Sequence, residues 1–326
     1  MPAPLQAFRA IFFGLCIALG LSAGAAAQDY PSRSVRLVIA FSAGGAIDVL
    51  GRILALKLTE AWGQSVLVEN RAGGGGNIGA AAAAQSAPDG LTLHLGAQSL
   101  AVNATLAPVA GFDPVRDFEP IMLVASAQDI VLVGPNSPFR TMKDLVDHAK
   151  AHPRKVTYGT ISNASSSHLA VTLLSELTGI RLQPIYYTQS SQMATDVMTG
   201  RVDLQMPTTG AHIGNVNSGR VRALAVSGHA RAAMLPDVPT LIEQGIRFED
   251  EASWYALFAP KGTPKDIVAK INRDMERILA MPDVKEREAR LGFRFIGGSP
   301  EKLAQFLRDE IAKWANVVKS PAFSGQ

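Results

Sequence analysis

The chain has 326 residues, of which 31 are Lys or Arg and 28 are Asp or Glu, for a formal net charge of +3. This near-balance, with no basic block and no interleaving of aromatic with basic side chains, excludes the electrostatic footprint of nucleic-acid binding. A length of this order suggests two lobes of about 150 residues rather than one core.

The first thirty residues carry one cation, Arg9, then an apolar run from Ala10 to Leu21, then small residues ending in Ala25-Ala26-Ala27-Gln28. The apolar run is too short to span a bilayer, which needs about twenty residues. A charged start, an apolar centre and an A-x-A ending predict an export leader over residues 1–27, cleaved after Ala27. The only cysteine, Cys16, falls inside it. Phe13-Gly14-Leu15 does not supply the small residues a lipidation site wants. The exported chain then has no thiol, so disulfides, thiolate metal sites and cysteine nucleophiles are all excluded. It keeps 30 basic residues against 28 acidic ones.

Beyond the leader, strands and helices alternate. Val35–Ala40 is β-branched and predicts a buried strand. Ile47, Leu50, Leu54, Leu58 and Trp62 recur at three- and four-residue steps and predict an amphipathic helix. Val66–Val68 and Leu91–Leu95 read as strands, with a helix at Ala80–Ala84 between them. This βαβαβ order favours a parallel sheet covered by helices. The pattern then restarts. Strands are expected at Asp129–Val133 and Val156–Tyr158, helices at Met142–Ala151 and Ser166–Thr178, and further units at Leu182–Tyr186, Met193–Thr199, Val202–Met206 and Val221–Val226. A proline-marked loop, Leu235–Pro239, leads to a strand at Trp254–Ala259. Helices near Lys265–Ala280, Asp283–Leu291 and Pro300–Val318 close the chain.

Two strand-to-helix turns carry the specific signal. The first runs from Phe41 to Asp48, and its Gly44 and Gly45 let a ligand approach the backbone without Cβ obstruction. The helix that follows offers unpaired N–H groups and the positive end of its dipole, a seat for an anion. Asp48 falls in the first helical turn, where it caps N–H groups or holds the loop. The second turn, Tyr158 to His168, holds five Ser or Thr hydroxyls and one amide at another helix start, more than capping alone requires. Facing each other over a cleft, the two turns could hold one carboxylate between two helix N-termini. A plain tight connection, and N-capping by one serine, are the structural alternatives.

Other motifs are weaker. Gly74, Gly76 and Gly79 fit G-x-G-x-x-G, but the run follows the second strand of its unit and no acid ends a strand about twenty residues on, which argues against a dinucleotide site. His148 and His152 share i, i+4 spacing without a Glu after His148, so they do not form a zinc-protease signature. Ser165–His168 places serines beside a histidine, yet no G-x-S-x-G elbow exists and a hydrolase lacks its base and oxyanion site.

At the two turns the sequence also resembles a known family, the Bug or tripartite tricarboxylate transporter substrate-binding receptors of the TctC type. The matching segments are Val38–Asp48, Val68–Gly79, Ala87–Gly90, Ser165–Leu169, Gly200–Asp203, Leu235–Thr240, Trp254–Pro260 and Gly262–Pro264. The resemblance implies an α/β, type II periplasmic-binding fold of two lobes with a ligand cleft between them. It divides the chain into a first lobe over 28–127, a second over 128–251, a return to the first over 252–298, and a C-terminal helix and tail over 299–326. It implies a periplasmic, monomeric receptor without cofactor, metal or catalysis. Such a receptor captures a small organic carboxylate and hands it to membrane permease subunits, or alternatively reports it to a membrane sensor.

By this resemblance the first turn contributes Phe41, Ser42, Gly44, Gly45, Ala46 and Asp48 to the ligand site. The second contributes Thr160, Asn163, Ser165, Ser166 and His168, with Tyr187 as a cleft tyrosine and Gln98 and Ser99 closing the far side. The chain departs from the family pattern at Ala40, Ala43, Ile47, Ser162, Ala164 and Thr188-Gln189. The missing cation at Thr188 argues against pairing a second carboxylate there.

Overall fold

The computed structural model describes residues 30–106, 111–163, 165–248, 253–319 and 323. The expected leader and its cleavage position lie outside these, as does Ala164. Met1–Ser32 cluster as one unit, of which only 30–32 are described, and Arg33–Gln326 form the other.

In the larger unit the strands form two sheets. The first takes β1 (Val35–Ile39), β2 (Val66–Asn70), β3 (Thr92–Ala97), β4 (Phe118–Ala127), β10 (Ser253–Pro260) and β11 (Phe293–Phe295), in the order β11-β4-β10-β3-β1-β2. The second takes β5 (Ile130–Val133), β6 (Thr157–Thr160), β7 (Gln183–Tyr186), β8 (Leu204–Gln205) and β9 (Arg222–Val226), in the order β7-β6-β8-β5-β9. Each sheet with its helices is one α/β lobe.

The parallel pairing expected of the first unit holds for β1 with β2 and with β3. It does not extend across the sheet, because β10 inserts antiparallel between β3 and β4. The ten-residue β4 and the short β11 were not legible as strands. Pro120 lies inside β4 opposite Phe258, beside a register shift in the ladder, one of the few places where a strand tolerates proline.

The first β-strand buries Val35, Leu37, Val38 and Ile39 under its helices and leaves Arg36 exposed. Helix α1 (Ala46–Trp62) buries Ile47, Leu50, Leu54 and Leu58, the stripe its spacing predicts, and ends on Gly63 in the left-handed conformation. Helix α2 (Asn77–Ala84) crosses β1 so closely that a Cβ on Gly79 would come within 2.7 Å of Ala40 Cα. Helix α3 (Ser99–Leu106) was not expected from its pattern. In the second lobe, helices α4 (Met142–Ala151) and α5 (Ser166–Thr178) pack over Val131, Tyr158 and Leu204, while α6 (Ser190–Met198) and the short α7 (Ile213–Asn217) cover Ile130 and Leu132. The chain closes with α8 (Lys265–Leu279), α9 (Pro282–Leu291) and α10 (Pro300–Val318).

Two crossovers join the lobes, one from β4 to β5 and one from β9 to β10, and hydrogen bonds tie them together. Asp129 N–H donates to Ser227 Oγ at 2.8 Å, Ser227 N–H to the Asp129 carbonyl at 2.8 Å, and Ser253 Oγ to Asp129 Oδ1 at 3.1 Å. Gln128 Nε2 donates to the carbonyls of Ser227 and Ala230.

A second junction is purely steric. Gly210 lies in the 3-10 turn Thr209–His212, and a Cβ there would fall 1.6 Å from the Leu291 carbonyl oxygen at the end of α9. Backbone faces backbone, so no rotamer can relieve the clash. Gly210→Ala is expected to cost on the order of 3 kcal/mol, lowering the unfolding midpoint by roughly 6–12 °C for a chain of this size. An unchanged midpoint in differential scanning calorimetry would show that this junction opens freely.

Candidate functional site

The first turn is built around a buried carboxylate. Asp48, 3% exposed, accepts from Gly44 N–H at 2.9 Å and Arg52 Nε at 2.9 Å on one oxygen, and from Asn70 Nδ2 at 3.0 Å on the other. Burial alone would raise its pKa, but the Arg52 guanidinium, the Gly44 N–H and the Asn70 amide outweigh it and hold the group below the usual carboxylate range. The same Asn70 amide reaches the Phe41 carbonyl at 3.0 Å. Both Asp48 oxygens are therefore spent on the loop, which they brace.

That bracing leaves Ser42, Gly44 and Gly45 exposed and Phe41 and Ala46 half-buried. Gly44 needs its φ of +87°, which favours glycine. Gly45 caps α1 without any side-chain bond, so the first N–H groups of a seventeen-residue helix are met by no capping side chain. A Cβ on Gly45 would find only the Ser42 carbonyl, 3.9 Å away.

Phe41 and Ser99 converge on one glycine. A Cβ on Gly76 would meet Ser99 Oγ at 3.1 Å and the Phe41 ring at 3.4 Å. Asn77, His94 and Asn103 join them around a small recess. Gln98 is buried beside Ser99, and its Nε2 has no hydrogen-bond partner; Asn77 Oδ1 is in the same position. Burial pushes the His94 imidazole down to about 4, against a bond to the Val38 carbonyl at 3.0 Å that works the other way.

The second turn is a tight hydroxyl cluster. Ser165 caps α5 by accepting from His168 N–H, donates to the Ser162 carbonyl at 2.8 Å and bonds Thr160 Oγ1 at 2.8 Å. Ser167 reaches the Gly159 carbonyl at 3.4 Å. Thr160 and Ser165 are buried, Ser166 half-buried and Asn163 exposed. Capping thus consumes Ser165 and Thr160, leaving Ser166 and Asn163 at the surface of the turn.

His168 is 1% exposed and bonds Tyr158 OH through Nδ1 at 2.9 Å, while Nε2 is buried without a partner. Burial holds its pKa down near 4, so the ring is neutral at pH 7. Phe323 packs edge-on against it with centroids 5.3 Å apart. The next residue, Leu169, belongs to the same buried cluster as Val38, Leu100 and Trp314, so the start of α5 adjoins the first lobe's core.

Tyr187, the expected cleft tyrosine, is half-buried and donates to Asp196 Oδ2 at 2.8 Å. Its neighbour Tyr186, 54% exposed, donates to Asn163 and stacks on His168 at 6.5 Å. Sequence reasoning missed Tyr186, Asn70 and Arg52; long-range pairing reveals the first two, whereas Arg52 stands i, i+4 from Asp48 on the same helix, a spacing that could have found it. His148 and His152 are exposed, their ring centroids 4.7 Å apart. Among the described residues no group of three or more His, Cys, Asp or Glu is placed to hold a metal, and no helix is long and apolar enough to cross a membrane.

The arrangement can seat an anion by backbone N–H groups and neutral donors; it offers no activated nucleophile beside a base. The family model of the tripartite tricarboxylate transporter family receptor matches residues 50–322. Protein BugT of Bordetella pertussis is 34% identical over 302 residues, 92% of this chain and 93% of its own. Among solved structures, an R. palustris protein with adipate is similar at TM-score 0.84 and 32% identity, covering 91% of this chain and 99% of that one. MatC from Rhodopseudomonas palustris with bound malate is similar at TM-score 0.81 and 28% identity, covering 89% and 100%.

Proposed function

Because the chain belongs to the tripartite tricarboxylate transporter receptor family, we propose that its two helix starts hold a small organic carboxylate, with linear dicarboxylates the first candidates. It is a periplasmic solute-binding receptor rather than an enzyme, with the two-lobed fold of its class. Adipate and malate in two related structures support the choice of acid. Export by a leader cleaved after Ala27, action as a monomer, and delivery to membrane permease subunits complete the reading.

Three buried side-chain nitrogens among the described residues lack a partner, and the observation that carries the reading is that two of them, Gln98 Nε2 and His168 Nε2, belong to the expected site residues, the third being Gln205 Nε2. A buried donor left unpaired costs about 1–3 kcal/mol, and such groups in native proteins call for an explanation. In the tautomer whose Nδ1 accepts from Tyr158 OH, the neutral His168 presents Nε2–H as a donor. Two neutral donors and a glycine-lined helix start match the acceptor oxygens of a carboxylate. Bonds to a charged group contribute about 1.5–3 kcal/mol each, so two to four support micromolar binding after association costs.

A thermal-shift screen of residues 28–326 against dicarboxylates, their amides and amino acids tests this. At a hundredfold excess over the dissociation constant, binding adds about 2.7 kcal/mol of stability, a rise of roughly 5–10 °C. An acid that raises the midpoint while its diamide does not supports the reading. Equal shifts by acid and amide, or none from any acid with ligand-free protein, would overturn it.

A further inference from the structure

On the side away from the second turn, the second lobe ends in a set of unpaired cations. Strand β6 starts there and runs four residues, about 13 Å, to the turn that follows Thr160. Strand β7 pairs parallel with it and so starts at the same end. Lys150 lies in the last turn of α4, Arg154 and Lys155 on the connection from α4 to β6, and Arg181 just before β7. The Arg154 N–H donates to the Arg181 carbonyl at 2.8 Å and ties the two segments together. All four side chains are exposed, and none makes an ion pair or a side-chain hydrogen bond among the described residues.

The acids of this end are mostly engaged elsewhere. Asp203 Oδ2 accepts from the Thr157 N–H and hydroxyl, both at 2.7 Å. Asp147 pairs with Lys143, and Asp196 with Arg201 and the Tyr187 hydroxyl. Glu176, near the end of α5, is exposed and faces four cations alone. The field at this end is therefore positive. Folding does not account for all of it. The dipole of α4 favours Lys150 in its last turn. Arg154, however, lies beyond that helix with a φ of 63°, the one positive φ outside glycine among the described residues. Glycine would adopt that conformation without the Cβ penalty. An arginine there strains the backbone with no side-chain contact to offset it.

We propose that this end of the second lobe is a docking surface for an anionic phospholipid membrane. Charge complementarity decides the occupant. The cations are long, separate and organised by no partner, which suits a diffuse plane of headgroups better than a shaped acidic peptide. The surface stands a strand's length from the second turn, so docking leaves the carboxylate seat uncovered and holds the receptor in the plane of its permease. Its use rests on the proposed delivery to a permease; its test does not.

Co-sedimentation of residues 28–326 with phosphatidylcholine vesicles, alone or with about a third phosphatidylglycerol, tests the proposal. Salt is set at roughly 0.01 and 0.15 M, where the Debye length is about 30 and 8 Å. Binding to the anionic vesicles only, weakened at the higher salt, is expected. Lys150→Gln, Arg154→Gly, Lys155→Gln and Arg181→Gln combined should abolish it, since each cation near such a surface is worth about a fivefold change in partition. Arg154→Gly relieves the positive φ, so this variant is expected to keep the thermal midpoint. A second variant, Lys265→Gln, Arg273→Gln, Lys302→Gln and Arg308→Gln combined, removes the same charge from the first lobe and should bind like the wild type. A failed carboxylate screen beside intact vesicle binding would overturn the ligand and leave this surface standing. Equal loss in the two variants would reduce the attraction to net charge and overturn the proposal. No binding to anionic vesicles, or capture of polyglutamate in preference to them, would overturn it as well.

Discussion

Between pH 7 and 5 the imidazoles of His94, His168 and His212 are together expected to cost the folded chain about 5–6 kcal/mol, which Asp129 offsets in part. Burial lowers His94, His168 and His212 to about 4, from an unfolded value of 6.5. Between those values the unfolded chain binds protons that the folded one refuses. The stability these groups contribute is therefore present above 6.5 and is lost as pH falls toward 4. Each side chain accounts for about 2 kcal/mol by pH 5 and about 3 kcal/mol by pH 4. Against a total of about 5–15 kcal/mol, that is a large fraction.

Asp129 works in the opposite sense. Burial raises its pKa well above 3.8, with the Ser253 hydroxyl only partly offsetting this. Its contribution is full below 3.8 and fades as pH rises through the raised folded value, so acid favours the crossover it occupies. The three imidazoles outnumber it. Urea unfolding of the wild type at pH 7 and 5 measures the net loss, and two variants separate the contributions. His94→Asn, His168→Asn and His212→Asn combined should remove the loss, whatever they cost at pH 7. Asp129→Asn should steepen it. Identical slopes in all three proteins would mean that none of these groups is coupled to folding.

The elements that sequence made legible are those whose period is set by local burial. The stripe Ile47, Leu50, Leu54, Leu58 faces the sheet as its spacing demands, and Ser166–Thr178 and Pro300–Val318 begin and end where expected. Strand β4 escaped because Glu119 and Pro120 break its pattern, and only the shifted ladder with β10 explains why both are tolerated. The same limit governs the site. Glycines and hydroxyls at 41–48 and 158–168 announce two helix starts. Nothing local announces that Asn70, 22 residues from Asp48, holds the first turn shut, whereas Arg52, which neutralises Asp48 from i, i+4 on the same helix, was legible by spacing. Tyr186 and Tyr187 are adjacent and alternate across the strand end, so pattern alone could not say which meets Asn163 and which turns to Asp196.

The bracing of the first turn also makes it possible to damage binding without damaging the fold. Gly45 has a φ of −81°, which any residue adopts, and open space where a side chain would go. Gly45→Val should therefore fold with a midpoint close to that of the wild type, lowered at most by about 1 kcal/mol for a β-branched residue in place of glycine. The added methyl groups project over the start of α1, where the N–H groups of the first turn are uncapped. A carboxylate excluded from that seat loses one or two charge-assisted bonds of about 1.5–3 kcal/mol each. The dissociation constant should rise by roughly tenfold for one bond and several hundredfold or more for two. Gly44→Ala is a poorer test, since a φ of +87° penalises any side chain and an effect on binding could be an effect on the loop. Calorimetric titration of Gly45→Val with the acid that the thermal screen identifies settles the matter. Wild-type affinity in a folded Gly45→Val protein would remove the first turn from the site and leave the second, with His168 and Gln98, to hold the ligand alone.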